Sequence, residues 1–390
     1  MTIAITSVEL GRHDMSQLIC HGCGSVINAM GIEPFTLCDC SKCGAELVIP
    51  YEMDYLTLEK PLYEKSLFAV YEGFDKSQNM SSTIFILNKD TTEFNQFHKI
   101  AKEEATNLST LKHPNICPIT NFGDVEGNFF VTEPRMDGYP LADYLPETQG
   151  LLDVDKVIDV LMAAALGLAV AHHKEFVHHD ICPENIHIDA RGNVRTKNFF
   201  ISRFTYEYLQ NKEDIASSVS PYFISPEKAE SRVEDKRGDV FSFGVLFYYM
   251  LTGKYPFSGK NEMETVYSRI KKKKPLQSQV FSSEKPHVLT AGTVEYIAPL
   301  APANFRQGVP GEISNAVLDM LSYHPVQRPR FSEILNTINL YKAREDRENV
   351  VHLAQREMVR ETISTRTKAI PIMKNLSAVI DPKKDHGHTV

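Results

Sequence analysis

Apolar positions along the chain change their period near residue 150. Before that point, short β-rich apolar runs recur at residues 67–71, 83–87 and 128–132. They flank a single stretch with helical spacing, from about residue 93 to about residue 111. Beyond it, residues 153–342 read as helices separated by loops. Residues 154–173 carry apolar side chains on most faces, which predicts a buried helix, and residues 239–251 do the same. Strands first and helices afterwards predict an α+β chain, with a small β-rich lobe packed on a larger helical one. Residues 341–363 are charged and helix-forming, with a thin apolar stripe at Val350, Ala354, Met358 and Val359. That stripe suits docking on the helical lobe, pairing with a partner helix, or a solvated extension. Residues 364–390 lack periodicity and are expected to be disordered.

These patterns divide the chain. Residues 1–15 form an amino-terminal segment without a strong pattern, and 16–50 a compact cysteine unit. Residues 51–62 are expected to be a linker, because Pro50 and Pro61 break regular structure at its ends. The main domain is placed at 63–342, and a tail, helical and then disordered, at 343–390. The stretch 275–303 reads as an irregular surface loop.

Composition narrows the function classes. The 390 residues are 42% hydrophobic and 24% charged, which is ordinary for a globular protein. The longest apolar run, 160–171, is too short to span a bilayer, and residues 1–30 lack the succession of a secretory signal. A cytoplasmic protein with no membrane partner is expected. The net charge of −8 argues against a nucleic-acid binder, despite one basic run at 271–274.

Five of the seven cysteines lie between Cys20 and Cys43. Cys20-His-Gly-Cys23-Gly24 and Cys40-Ser-Lys-Cys43-Gly44 are two C-x-x-C-G units separated by sixteen residues. Two thiolates three positions apart on a tight turn reach one metal from the same side. The glycine after each pair supplies the positive φ that closes the turn. Four thiolates make a closed tetrahedral structural site, so Zn²⁺ held by Cys20, Cys23, Cys40 and Cys43 is expected. Cys38 is a competitor for Cys40. A segment of about thirty residues cannot bury a core, and zinc supplies about 10–16 kcal/mol of folding energy in comparable peptides. The unit resembles a zinc ribbon. Between its cysteines it offers few basic residues and only Phe35 as an aromatic, so a nucleic-acid adaptor is the weakest of the readings.

The most informative stretch is Phe176-Val-His-His-Asp-Ile-Cys-Pro-Glu-Asn185. It resembles the catalytic loop of the protein kinases, H-R-D-L-x-x-x-N. His178 falls on the family's His, Asp180 on the catalytic base and Asn185 on a magnesium ligand. Further motifs follow in family order. Glu104 sits at the position of the family's helix glutamate, and Phe129-Phe-Val-Thr-Glu133 is similar to the strand leading to the hinge. Asn198-Phe199-Phe200 falls on D-F-G, and Ser225-Pro226-Glu227 on A-P-E. Asp239 begins a stretch similar to the family's central buried helix, and Arg328-Pro329 resembles its late Arg-Pro signature. The resemblance implies a two-lobed kinase fold, preceded here by the ribbon. It implies that Glu227 pairs with Arg328, that Asp239 holds the catalytic-loop backbone, and that Phe199 takes the D-F-G phenylalanine position. His178 is read as structural, and Thr132 and Glu133 join Glu104 as candidate nucleotide-site residues.

The phosphate-handling parts depart from the pattern. Tyr63, Lys65 and Phe68 stand at the positions of the glycine-rich loop. Phe85 or Ile86 stands where the lysine of V-A-I-K belongs, which leaves Glu104 without an evident partner and Lys65 as the candidate substitute. Asn198 replaces the magnesium-binding aspartate, and a neutral amide is a poorer ligand than a carboxylate. His179 replaces the catalytic-loop arginine, and Cys182 the lysine two residues after Asp180. Kinase catalysis is mostly positioning and charge stabilisation, so these losses weigh heavily. The expectation is a pseudokinase that scaffolds or regulates a protein partner. The alternative is a weakly active or atypical serine/threonine kinase using ATP and Mg²⁺ with Asp180, Asn185 and Asn198. Ser217, Ser218 and Ser220 in the segment 198–227 read as ordinary polar loop residues.

Overall fold

The computed structural model describes residues 17–65, 67–87, 89, 94–144, 151–209, 220–230, 233–257, 259–260, 272–273, 294–295 and 299–360. Side chains are described at all of these except 65, 209, 272–273, 294–295 and 348–360. Residues 1–15, the two ends of the basic run at Lys271 and Lys274, Ser217, Ser218, most of 275–303, and 364–390 lie outside that set, as do the side chains of the stripe at Val350, Ala354, Met358 and Val359.

Strands in chain order are β1 (Gln17–Ile19), β2 (Val26–Asn28), β3 (Leu37–Asp39), β4 (Glu46–Val48), β5 (Tyr51–Met53), β6 (Leu56–Lys65), β7 (Phe68–Asp75), β8 (Met80–Leu87), β9 (Asn121–Val125), β10 (Asn128–Pro134), β11 (Tyr139–Pro140), β12 (Ile186–Ile188), β13 (Val194–Thr196), and the short pair β14 (Lys272–Lys273) and β15 (Val294–Glu295). Helices are α1 (Phe94–Leu108), α2 (Val154–His173), α3 (Phe199–Leu209), α4 (Pro226–Ala229), α5 (Lys236–Thr252), α6 (Gly311–Met320) and α7 (Phe331–Arg360). The chain divides into two compact units, one of Met1–Asp137 with Lys197–Ser218, the other of Gly138–Thr196 with Val219–Val390.

The first unit is built on a six-stranded antiparallel sheet in the order β5-β6-β7-β8-β10-β9. Residues 82–87 are buried on both faces of β8, which is why that strand reads as a nearly continuous apolar run. On α1 the buried set is Phe97, Ala101, Glu104, Ala105 and Leu108. Those positions recur every three or four residues and form one face. The two ribbon hairpins, β1-β2 and β3-β4, precede the sheet.

The expected linker at 51–62 is instead part of this sheet, as β5 and most of β6. Pro61 is tolerated there for a physical reason. β6 pairs with β5 only over Leu56–Leu58, so beyond that point it is an edge strand. A proline lacks the ladder donor, and on an edge that donor is not needed. A register irregularity between Pro61 and Tyr63 accompanies it.

The second unit is helical, with a small β11-β12-β13 sheet. Helix α5 is buried over its whole length from Gly238 to Thr252. Asp235 caps its start by accepting the Arg237 N–H, and Gly253, at φ 69°, ends it in the left-handed conformation. Glu227, at the start of α4, takes a bidentate pair from Arg328 at 2.6 and 2.8 Å. Arg328 is fully buried, and it also donates to the carbonyls of Ser322, Tyr323 and Arg237. One guanidinium thus ties together α4, the start of α5 and the turn before α7. Among the described residues, no helix is long and apolar enough to cross a membrane.

Candidate functional site

The catalytic-loop stretch of the second unit hangs on one carboxylate. Asp239, in the first turn of α5, accepts the backbone N–H groups of His178 and His179 at 2.7 Å each. His172 Nε2, on the last turn of α2, lies 2.9 Å from the same carboxylate. Burial disfavours the charged form of Asp239, but the His172 hydrogen bond and the neighbouring histidines outweigh it and hold its pKa far below the usual carboxylate range. These bonds fix His179 at φ 67°, a left-handed conformation that a non-glycine residue seldom adopts. The Asp180 N–H then donates to His178 Nδ1 at 3.2 Å. The Asn185 amide donates to the Asp180 carbonyl at 2.7 Å and closes the loop around the turn Pro183–Asn185. Both Asp180 and Asn185 are buried.

His179, at the family's arginine position, faces a buried acid. Its Nδ1 lies 3.1 Å from Glu234 Oε2. The Ser225 hydroxyl donates to Glu234 Oε1 at 2.6 Å, and Lys228 Nζ lies 3.7 Å from Oε2 while donating to the His179 carbonyl at 2.7 Å. Burial raises the Glu234 pKa, but Lys228, His179 and Ser225 together outweigh it and hold the carboxyl below its usual value. Room for this acid comes from Gly238, where a Cβ would lie 2.1 Å from Glu234 Cγ. None of Lys228, Glu234 and Gly238 stood out in the sequence. The available signal was the pair of a charged residue just before a helix cap and a glycine inside the helix.

The nucleotide-side residues lie in the first unit. Phe85 and Ile86, the two candidates for the lysine position, lie on β8, and both are fully buried, Ile86 in the cluster with Tyr71 and Phe130. Phe85 lies on the other side of the strand. Its ring meets Phe200 edge to face at 6.4 Å. Phe200 and Phe204 in turn pack on Phe68 at 5.3 and 5.2 Å, and Phe97 of α1 reaches Phe204 at 6.1 Å. The D-F-G-like segment runs straight into a helix. Asn198, at φ 64°, turns the chain into α3, with Phe199 as its first residue and buried. The Asn198 N–H donates to Glu133 Oε2 at 3.2 Å. Burial pushes the Glu133 carboxyl up to about 7, with Lys197 and the Asn198 N–H opposing the rise. The Thr132 hydroxyl is used inside the sheet, 3.0 Å from that of Thr120 and donating to the Asn121 carbonyl at 3.3 Å.

Glu104 has a partner that the sequence reading missed. Arg203 of α3 donates through Nε to Glu104 Oε1, and its Nη2 lies 3.8 Å from Glu207 one turn on. The signal for Arg203 was a lone cation in the aromatic stretch Phe-Phe-Ile-Ser-Arg-Phe-Thr-Tyr. Lys65, the suspected substitute, sits at the end of β6 opposite Phe68, and its side chain is outside the described set. The β6-β7 hairpin carries no glycine before Gly73.

The four sulfurs of Cys20, Cys23, Cys40 and Cys43 all lie within 4.8 Å of one another. Two of the separations are 3.6 and 3.7 Å, for Cys20–Cys43 and Cys23–Cys40. A zinc–sulfur distance of about 2.3 Å gives tetrahedral edges of about 3.8 Å, so the set fits one zinc ion. Gly24 and Gly44, at φ 68° and 71°, close the two turns, and their N–H groups donate to the carbonyls of Cys20 and Cys40. Cys38, in β3, is not part of the cluster.

The protein kinase domain family matches residues 66–338 of the chain. The serine/threonine-protein kinase PrkC of Bacillus subtilis is 25% identical over 307 residues, which cover 78% of this chain and 42% of PrkC. The serine/threonine-protein kinase pkn2 of Myxococcus xanthus is 33% identical over 211 residues, covering 51% of this chain and 24% of that protein. The chain thus spans less than half the length of either relative. The kinase domain of Mycobacterium tuberculosis PknI has the same fold, with a TM-score of 0.52 at 17% identity over 75% of this chain and 98% of that one.

Proposed function

The chain belongs to the protein kinase domain family, and from that premise we propose that it works as a pseudokinase, a regulatory or scaffolding module for a protein partner. The observation that carries this reading is Phe85. With Ile86 it is one of the two residues that fall where the family's phosphate-binding lysine belongs, it is fully buried, and it stands against Phe200, the residue in place of the D-F-G glycine. A cation that would hold the α- and β-phosphates is replaced by a hydrocarbon contact. Glu104, the usual mate of that cation, is taken by Arg203. Removing one preorganised charge-stabilising donor typically costs about 10²–10³ in rate. Several such losses do not multiply simply, but they act in one direction.

Family membership brings ATP and Mg²⁺ as the class cofactors. The residues left in this chain to serve them are Asp180, Asn185 and Asn198. The second reading, an active serine/threonine kinase, is supported by the names of the relatives and by Asp180 and Asn185, which are held in place by hydrogen bonds within the loop. In either case the four cysteines Cys20, Cys23, Cys40 and Cys43 would hold a structural Zn²⁺.

Calorimetric titration with Mg·ATP tests the choice. The pseudokinase reading expects no saturable heat with ATP at millimolar concentration. Saturable binding tighter than about 1 mM, weakened by Asn185→Ala, would favour the kinase reading.

A further inference from the structure

The ribbon is not hung on a flexible link. Its last strand, β4, ends at Val48, and β5 of the six-stranded sheet begins at Tyr51. Ile49 between them is 1% exposed. Its N–H donates to the Thr36 carbonyl at 3.0 Å, and its own carbonyl accepts the Phe35 N–H at 2.6 Å. These two bonds bind the segment joining the ribbon hairpins to the chain entering the sheet.

Phe35 is the residue that leaves the ribbon. It lies between Cys23 and Cys40 in sequence, at φ 62°. Left-handed backbone is strained for a residue with a side chain, so it persists where surrounding contacts over-determine it. Here the ring stacks on Tyr71 of β7, with centroids 5.6 Å apart and planes at 24°. Tyr71 belongs to the buried cluster with Tyr51, Met53, Leu56, Leu58, Ile84 and Ile86, against which Phe35 packs. Among the described residues, the ribbon's own cluster has three buried members, Cys20, Cys40 and Leu47, with Leu18, Ile27, Cys38 and Ala45 partly buried against them. So small a core cannot hold two hairpins in place, and two of its three buried members are metal ligands.

We propose that zinc at Cys20, Cys23, Cys40 and Cys43 is a structural tether of the kinase-like sheet, and that Phe35 transmits its occupancy to β5, β6 and β7. This rests on the zinc reading above and adds a role to it. The metal fixes the two hairpins, the hairpins fix the segment between them, and that segment sets Phe35 on Tyr71. Without the metal, the hairpins no longer hold the segment that sets Phe35 in its strained conformation, and the face of the sheet around Tyr71 loses its cover.

The test uses the full chain. Zinc content is measured, the metal is stripped with a chelator and restored, and amide hydrogen exchange is followed in each state. Stripping is expected to speed exchange in residues 51–75 about tenfold or more while leaving α5 unchanged, and added zinc is expected to reverse it. Phe35→Ala is expected to retain one zinc per chain but to show similar exchange in 51–75 loaded and stripped. One bound zinc with exchange in 51–75 indifferent to its removal would overturn the tether and leave the zinc reading standing. A folded chain that binds no zinc would overturn both.

Discussion

Glu133 is a buried carboxyl whose pKa stands at about 7, raised by burial. Its folded-state pKa is above the value near 4.5 expected in the unfolded chain. Between these two values the folded form keeps a proton that the unfolded form has lost. Its contribution to stability is therefore fully present below about pH 4.5 and declines as pH rises toward 7. Glu133→Gln removes that titration. Urea midpoints recorded across this range should fall with pH more steeply in the parent than in the variant, by a total on the order of a few kcal/mol. Parallel profiles would contradict the placement of this carboxyl. Asp239 acts in the opposite sense. Its pKa is depressed, so its contribution is held at neutral pH and lost only in strong acid. The contacts of Asp239 and Glu227 were readable from the order of the motifs, because each pairs with groups that the kinase pattern itself places. The contacts of Glu104 and Glu234 were not. Both use residues outside those motifs, Arg203 in one case and Lys228 with Gly238 in the other.

At the scale of elements, α3 is a helix that the kinase motifs do not mark beyond Phe199 and Phe200. Its own sequence repeats aromatics at Phe200, Phe204 and Tyr208, a four-residue spacing that a helix brings onto one face. That face packs on Phe68 and Phe97, while Arg203 turns to Glu104. Arg203→Ala leaves Glu104 buried without its cation. It should cost up to about 3–5 kcal/mol and raise hydrogen exchange in α1. The paired change Arg203→Met with Glu104→Leu should cost clearly less, because no charge is then stranded. A double variant no more stable than Arg203→Ala, by urea unfolding, would remove the ion pair as the link between α1 and α3. The misreading of β5 and β6 has its own origin. Two prolines signalled a break, but an edge strand tolerates what a central strand does not.

For the whole molecule, the change of period near residue 150 gave the order of strands and helices, and the motif order gave the family. What patterning could not give was how the chain fills space at the positions that depart from the kinase pattern. Phe85 and Phe200 are far apart in sequence, and only the fold brings their rings together. That contact is the ground for reading this kinase-family domain as one that has exchanged phosphate chemistry for packing. The most direct test is phosphoryl transfer from labelled ATP with Mg²⁺ or Mn²⁺, to the chain itself and to generic serine/threonine substrates, beside an Asp180→Asn control. No transfer above that control, from folded and zinc-loaded protein, is the predicted result. Transfer that disappears in Asp180→Asn would contradict it and make this chain an active kinase.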